Sequence, residues 1–287
     1  IDVNIDKNVF DELDKNFEDF IDKNFDTSKT LFISLGSRWI FSKKLIEKIF
    51  GGNIINFHGT RLPYDAGPGG GMSWRIIRGD RIDNQLVHLI DEGVDTGAIL
   101  FHDKSLIPHR CQLPNEIEEY RLEKFIKFYE QFIKKLKDGY NYKLLHQPNY
   151  LGRHNIRLDT MTSGWIDWNM KSINLIKFIN AFDDPYMGAS SEITSKKHGR
   201  LFIKKAQLHG GESSNHPFMS GLISRHDKDW IVVSTIDENM ILIEEVLNEE
   251  GKNIIALLKP GDRFFSTNEK LEIAKNVKIS YGPKGLK

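Results

Sequence analysis

Along the first half of the chain, short apolar runs alternate with amphipathic stretches, and the period of each predicts an element. Phe10, Leu13, Phe17, Phe20, Ile21 and Phe25 recur every three or four positions between charged residues, which predicts an amphipathic helix over residues 8–25. Leu31-Phe32-Ile33-Ser34-Leu35 is a short apolar run ahead of Gly36 and predicts a strand, followed by a second helical pattern from Ser42 to Phe50. Further strands are expected at 53–57 and 85–90. Strands alternating with helices predict an α/β domain built on a largely parallel, helix-covered sheet. Asp2-Val3-Asn4-Ile5 reads as the end of a strand that starts before Ile1, so a trimmed N-terminus is expected. Residues 116–137 predict a long helix with Ile117, Phe125, Phe128, Phe132 and Leu136 inward, and Lys134, Lys135 and Lys137 complementing its C-terminal dipole.

From Tyr140 to Ser163 the periodicity vanishes, and Pro148, Gly152 and several Asn mark a connector. A boundary near residue 155 follows, with one domain over 1–155 and a second over 156–287. The second reads as a short helix over 171–182, then alternating runs at 200–206, 221–224, 230–235 and 240–246, the last two joined by Asp237-Glu238-Asn239. That pattern predicts a small β-barrel-like domain.

Composition narrows the function. The chain has 287 residues, 39% of them hydrophobic with 18 Phe, enough to bury a sizeable core and to exclude bulk disorder. Forty basic and forty acidic side chains cancel, which removes the field expected of a protein that grips many phosphates. The single Cys111 can form neither an internal disulfide nor a cysteine metal cluster; it reads as a packed thiol in a reducing setting. No apolar run approaches the ~20 residues of a membrane span, and no signal peptide is recognisable, so a soluble, cytoplasmic protein without a membrane partner is expected.

Candidate chemistry concentrates between Ile54 and Gly97. Asn56-Phe57-His58 ends an apolar strand, and ligands gather at the carboxyl edges of strands in α/β sheets. Leu62-Pro63 leads into Gly67-Pro68-Gly69-Gly70-Gly71, which lacks the Lys-Ser/Thr of a phosphate loop and the spacing of a dinucleotide turn. Asp91-Glu92-Gly93-Val94-Asp95-Thr96-Gly97 places three carboxylates in a glycine-punctuated loop, where Asx-turns account for one or two of them. An amide, an imidazole and a carboxylate thus meet at neighbouring strand ends, the groups that acyl transfer to an amine requires. Ten His are present without an H-E-x-x-H or other paired ligand spacing, so no metal is expected.

Asn56-x-His58, Leu62-Pro63, Gly67, Trp74, Gly79-Asp80 and the Asp91 to Gly97 run resemble the folate-dependent formyltransferase family, which includes methionyl-tRNA formyltransferase and the sugar-nucleotide N-formyltransferases. Asn56 and Asp95 are 39 positions apart, close to the family's own separation. Gly164-Trp165-Ile166-Asp167-Trp168 and Asp184-Pro185-Tyr186-x-Gly188-Ala189 resemble the start of its C-terminal domain, so the likeness covers residues 31 to about 265. It implies a Rossmann-like catalytic domain, with strands preceding Ile1, and an OB-like barrel behind it. It also implies 10-formyltetrahydrofolate as formyl donor, Asn56, His58 and Asp95 as catalytic residues, and a pterin read by backbone groups of Trp39, Ile40, Phe41, Asp91, Glu92, Gly93 and Val94. Thr60 and Tyr64-Asp65 stand where relatives often have Ser and a basic residue.

The acceptor is open between a small-molecule amine and tRNA. Residues 160–287 hold 17 Lys or Arg against 16 Asp or Glu, a net charge of +1, which disfavours tRNA and favours a small-molecule amine such as a nucleotide-linked amino sugar. A local patch of Lys196, Lys197, Arg200, Lys204 and Lys205 reads as a solvent face. A formyltetrahydrofolate hydrolase or an inactive folate-binding homologue are the remaining alternatives, and a homodimer is left open.

Overall fold

The computed structural model describes residues 13–36, 39–66, 71–148, 153–195, 198–210 and 216–277, and the backbone of 281–282 and 285–286. The expected strand end at 2–5, the glycines at 67–70 and Lys196-Lys197 lie outside the described residues.

Helix α1 (Lys15–Asn24) begins where the Asp14 side chain accepts a hydrogen bond from the Phe17 amide. Its Ile21 packs into a cluster with Phe41, Leu45, Ile49, Phe50 and Ile54. Strand β1 (Phe32–Leu35) follows, then a π-helical turn over Leu45–Ile49, where the pattern predicted a longer helix. The turn closes with a Phe50 amide to Leu45 carbonyl bond of 3.0 Å and stops at Gly51 and Gly52, whose φ values of 59° and 76° end it. Next come β2 (Ile54–His58), β3 (Asp65–Ala66), α2 (Gly71–Arg78), β4 (Ile82–Leu89), β5 (Ile99–Leu106) and α3 (Pro114–Lys137).

The first sheet has the order β1-β2-β4-β5, with β1 and β2 parallel but β2-β4 and β4-β5 antiparallel. The expectation of a largely parallel sheet is therefore corrected to a mixed one. The link between β4 and β5 is too short for a helical crossover, so the two strands pair as a hairpin. The pattern also missed β5, because His102, Asp103 and Lys104 are exposed on an edge strand and leave no apolar run. Helix α3 covers the sheet: Phe128 and Phe132 are fully buried against Ile55, Phe57 and Val87. Its last turn carries Lys134, Lys135 and Lys137, as expected for cations facing the dipole.

The presumed connector holds β6 (Arg153–His154), which pairs with β3, and the short helix α4 (Thr160–Ser163). After α5 (Ser172–Ala181) come β7 (Ala189–Ile193), β8 (Leu201–His209), β9 (Ile223–His226), β10 (Ile231–Ser234), β11 (Met240–Leu247), β12 (Phe264–Phe265) and helix α6 (Asn268–Lys275). These strands form an antiparallel sheet in the order β12-β7-β8-β11-β10-β9. A bridge between Leu222 and Arg263 joins its two edges, and a Cβ on Gly221 would lie 2.3 Å from the Phe264 carbonyl, so glycine permits the closure. The result is a curled, barrel-like sheet whose core includes Ile179 of α5 and, from the first half of the chain, Ile76 of α2. Lys204 departs from the expected solvent face. It is buried, 3.5 Å from the fully buried Asp183 and bonded to the half-exposed Asp184, the two carboxylates that follow α5.

Asp83 on β4 has no exposed surface. Its Oδ1 lies 3.0 Å from Arg75 of α2 and 2.9 Å from Arg121 of α3, and its Oδ2 accepts a bond from Gln85. Both guanidinium groups also donate to the carbonyl of Gly59, the residue after β2. Asp83→Ala leaves two buried cations without their partner and should cost about 3–5 kcal/mol in urea unfolding, whereas Glu47→Ala, at an exposed pair, should change stability by less than about 1 kcal/mol.

Candidate active site

The end of β2 carries the site because the parallel β1-β2 pair sends both strands toward the same edge. There, Asn56 and His58, two residues apart, project on one face of the strand. The loop from Ile90 to Ala98 leaves β4 beside the start of β2, where Leu89 pairs with Ile55, and turns back to bring Asp95 within 3.6 Å of His58 Nδ1. Asp95 adopts φ 58°, a left-handed conformation uncommon for a residue with a side chain. Gln147 holds this turn by donating from its side-chain amide to the carbonyls of Asp95, at 3.0 Å, and Gly97, at 2.6 Å. Asp91 forms an Asx-turn, accepting from the Gly93 amide at 3.1 Å and the Thr96 hydroxyl at 2.5 Å.

The hydrogen bonds around His58 set its tautomer. Thr60 Oγ1 lies 2.6 Å from His58 Nε2 and 2.6 Å from the Asp65 carbonyl oxygen. A carbonyl only accepts, so the hydroxyl donates to Asp65 and receives the Nε2 proton of His58. In the neutral ring Nδ1 then carries the lone pair and faces Asp95. Burial pushes the imidazole down to about 4; the Asp95 carboxylate works against that shift, and His88 and Arg121 add to it. A side chain next to a carboxylate thus stays neutral at physiological pH.

Asn56 is paired across the sheet with His88 of β4, and its Nδ2 lies 3.1 Å from His88 Nε2. His88 Nδ1 is 2.7 Å from the Leu89 carbonyl. His58, His88 and Asp95 could offer a cation one atom each within 4.8 Å of one another. A metal ion there would compete with the hydrogen bonds of His88 to Asn56 and Leu89. A cleft of about 200 Å³ opens onto His58, lined also by Gly59, Gln85, Glu118, Arg121 and Phe125.

The residues expected to read a pterin are distributed unevenly. Asp91, Glu92 and Gly93 are exposed on the loop and Val94 is half-buried, with the Gly93 amide engaged by the Asp91 side chain. Trp39 and Ile40 are half-buried, while the Phe41 ring packs on Phe50 with centroids 5.9 Å apart, leaving only its backbone for recognition. Trp74 donates its indole N–H to the Ile156 carbonyl at 2.7 Å, which makes it a tie between α2 and the chain after β6. His88, Gln147 and Arg121 carry no signal in the sequence pattern; their places emerge only from strand register, loop contacts and the packing of α3.

Residues 13–123 match the family model described as formyl transferase, and residues 160–265 match the model of the formyl transferase C-terminal domain. The chain belongs to the formyl transferase family. Among relatives of this formyl transferase, the methionyl-tRNA formyltransferase of Prochlorococcus marinus (strain MIT 9215) is 27% identical over 252 residues, covering 80% of this chain and 73% of the relative. Two solved structures share the fold. WlaRD, a sugar 3N-formyl transferase crystallised with dTDP and 5-N-formyl-THF, superposes with a TM-score of 0.55 at 19% identity, over 75% of this chain and 72% of that one. The N-formyltransferase from Helicobacter canadensis, in complex with folinic acid and dTDP-3-aminofucose, gives 0.55 at 18% identity over 75% and 74%. Among the described residues of this formyl transferase, no helix is long and apolar enough to cross a membrane.

The lowered pKa of His58 has a measurable sign. Between about pH 4 and the ordinary 6.5 the unfolded chain binds a proton here that the folded chain does not. The stability contributed by this group is fully present above pH 6.5 and is lost as pH falls through about 4. An NMR titration of the His58 ring should show it neutral down to about pH 4, with a still lower midpoint in Asp95→Asn, which loses the charge that favours the imidazolium. A midpoint near 6.5 in both proteins contradicts the assignment.

Proposed function

We propose that the protein transfers a formyl group from 10-formyltetrahydrofolate to the primary amine of a small molecule, such as a nucleotide-linked amino sugar, with Asn56, His58 and Asp95 as its catalytic residues. The observation that carries this reading is the meeting of an amide, a neutral, partly buried imidazole and a carboxylate around the end of β2 in a formyl transferase family chain. The donor set suits an uncharged carbonyl group. The folate supplies a formyl group borne on nitrogen, and the backbone of the exposed loop from Asp91 to Val94, with that of Trp39 to Phe41, would hold it. That both solved relatives were obtained with a formylated folate supports this donor.

An amine that bonds to a carbonyl carbon must shed a proton, and the carbonyl oxygen gains negative charge as it does so. His58 accepts the proton at Nδ1, the nitrogen turned to Asp95, and Asp95 stabilises the resulting imidazolium, which gives that proton to N10 of the folate as the oxyanion collapses to a carbonyl, the formyl carbon–N10 bond breaks and tetrahydrofolate leaves. Asn56 donates an N–H to the oxygen, an interaction worth roughly 3 kcal/mol in comparable sites. A neutral His58 is a requirement for the first step, and its burial meets that requirement. The domain division at residue 155 assigns this chemistry to residues 1–155 and leaves 156–287 to present the acceptor.

One observation favours a small acceptor over tRNA: residues 160–287 carry a net charge of only +1, too little for a grip on a polyanion. Methionyl-tRNA is the second reading, favoured by the sequence relatives. Purified protein supplied with 10-formyltetrahydrofolate and nucleotide-linked amino sugars should yield the N-formyl sugar, and His58→Ala and Asp95→Asn should each lower kcat by about 10²–10⁴ without loss of fold. Formylation of charged initiator tRNA instead reassigns the acceptor, and formate release without any amine indicates a hydrolase. Wild-type rates in both variants would sink the catalytic assignment.

A further inference from the structure

The role of Asn56 depends on which end of its side-chain amide faces the substrate, and an amide at a strand end has two orientations. His88 removes that freedom. Its Nδ1 lies 2.7 Å from the Leu89 carbonyl, which can only accept, so Nδ1 carries the hydrogen. The ring is buried, and burial lowers its pKa despite the opposing effects of the Leu89 carbonyl, Asp95 and Asp91; His58, with rings 5.8 Å apart, also faces it. A neutral ring with its hydrogen on Nδ1 has a lone pair on Nε2, and 3.1 Å from that lone pair is Asn56 Nδ2. Only the NH₂ end of Asn56 can occupy this place. One N–H goes to His88, and the second, on the same nitrogen, remains for the substrate oxygen.

Two features of the backbone build this relay. The β4-β5 register shifts between Val87 and His88, and such a bulge re-aims the side chain at which it occurs. Gly97 has the second part: a Cβ there would sit 1.7 Å from the Leu89 oxygen and 3.4 Å from His88 Nδ1, so only glycine leaves the carbonyl in reach of the ring. The Asp95-Thr96-Gly97 turn therefore serves Asn56 as well as His58.

We propose that His88 is a positioning residue for formyl transfer, which accepts a hydrogen bond from Asn56 and thereby keeps the donor end of that amide turned to the substrate carbonyl. This rests on the catalytic reading of Asn56 given above.

The test is a double-mutant cycle in the formyl-transfer assay, read as kcat and KM separately. His88→Leu should lower kcat by about 10- to 100-fold with the KM for 10-formyltetrahydrofolate changed less than about twofold. His88→Gln, whose side-chain oxygen can accept from Asn56, should recover most of the lost rate. Asn56→Ala combined with His88→Leu should be no slower than Asn56→Ala alone, since His88 acts only through Asn56. Additive losses, or wild-type kcat in His88→Leu, overturn the proposal. Asn56→Ala at wild-type rate instead removes the catalytic reading on which it stands. An ¹⁵N spectrum of the wild-type imidazoles at neutral pH decides the matter without any variant: an unprotonated Nε2 in His88 is expected, and the opposite tautomer contradicts the proposal.

Discussion

The carboxylate of Asp83, closed off from solvent, sits between the guanidinium groups of Arg75 and Arg121, and both cations reach on to the carbonyl of Gly59. One buried anion thereby ties β4, α2 and α3 to the residue that follows His58. A buried ion pair is weak evidence of stability in itself, because desolvation offsets much of the attraction. Here its consequence is geometric. The chain leaves β2 along a path fixed by two side chains, and a Cβ on Gly59 would push the Arg121 guanidinium out of its place. His58 and Thr60 on either side inherit their positions from this clamp, and through Thr60 so does the tautomer of the imidazole.

The electrostatics of the site follow from the same enclosure. A carboxylate beside a histidine ordinarily favours the imidazolium, yet here burial outweighs Asp95 and keeps the ring neutral, with the nearby Arg121 acting in the same direction. Asp95 is thus poised to stabilise a charge that arises only when a proton arrives, which is where such a group contributes most to a rate. His88 extends this arrangement to the amide, so that the two histidines of the site have opposite tautomers: His58 carries its hydrogen on Nε2 and His88 on Nδ1, each set by a carbonyl one step away.

Much of this was legible in the residues. The apolar periods located β2, α3, α5 and the strands β8 to β11, and the motifs around Asn56, His58 and Asp95 marked the strand end and the loop that come together. Other parts depend on information that a one-dimensional pattern lacks. The antiparallel turn between β4 and β5 hinged on loop length, and β5 itself was hidden because an edge strand tolerates His102, Asp103 and Lys104 on its surface. His88 looked like one polar residue in an apolar strand until register put it opposite Asn56. Gln147 lies in a stretch without periodicity, and its two bonds to the 95–97 turn give no sequence signal. Lys204 was misassigned for a related reason: strand alternation said nothing about the Asp183-Asp184 pair folding back beneath it.

The central claim is that the loops around the end of β2 form a site for a formylated folate. Calorimetric titration of the protein with 5-formyltetrahydrofolate, a stable analogue of the donor, tests it most directly. Saturable binding at one site per chain, displaced by 10-formyltetrahydrofolate and accompanied by a change in the His58 ring resonances, is the predicted result. Absence of binding, or binding that leaves His58 unperturbed, contradicts the account.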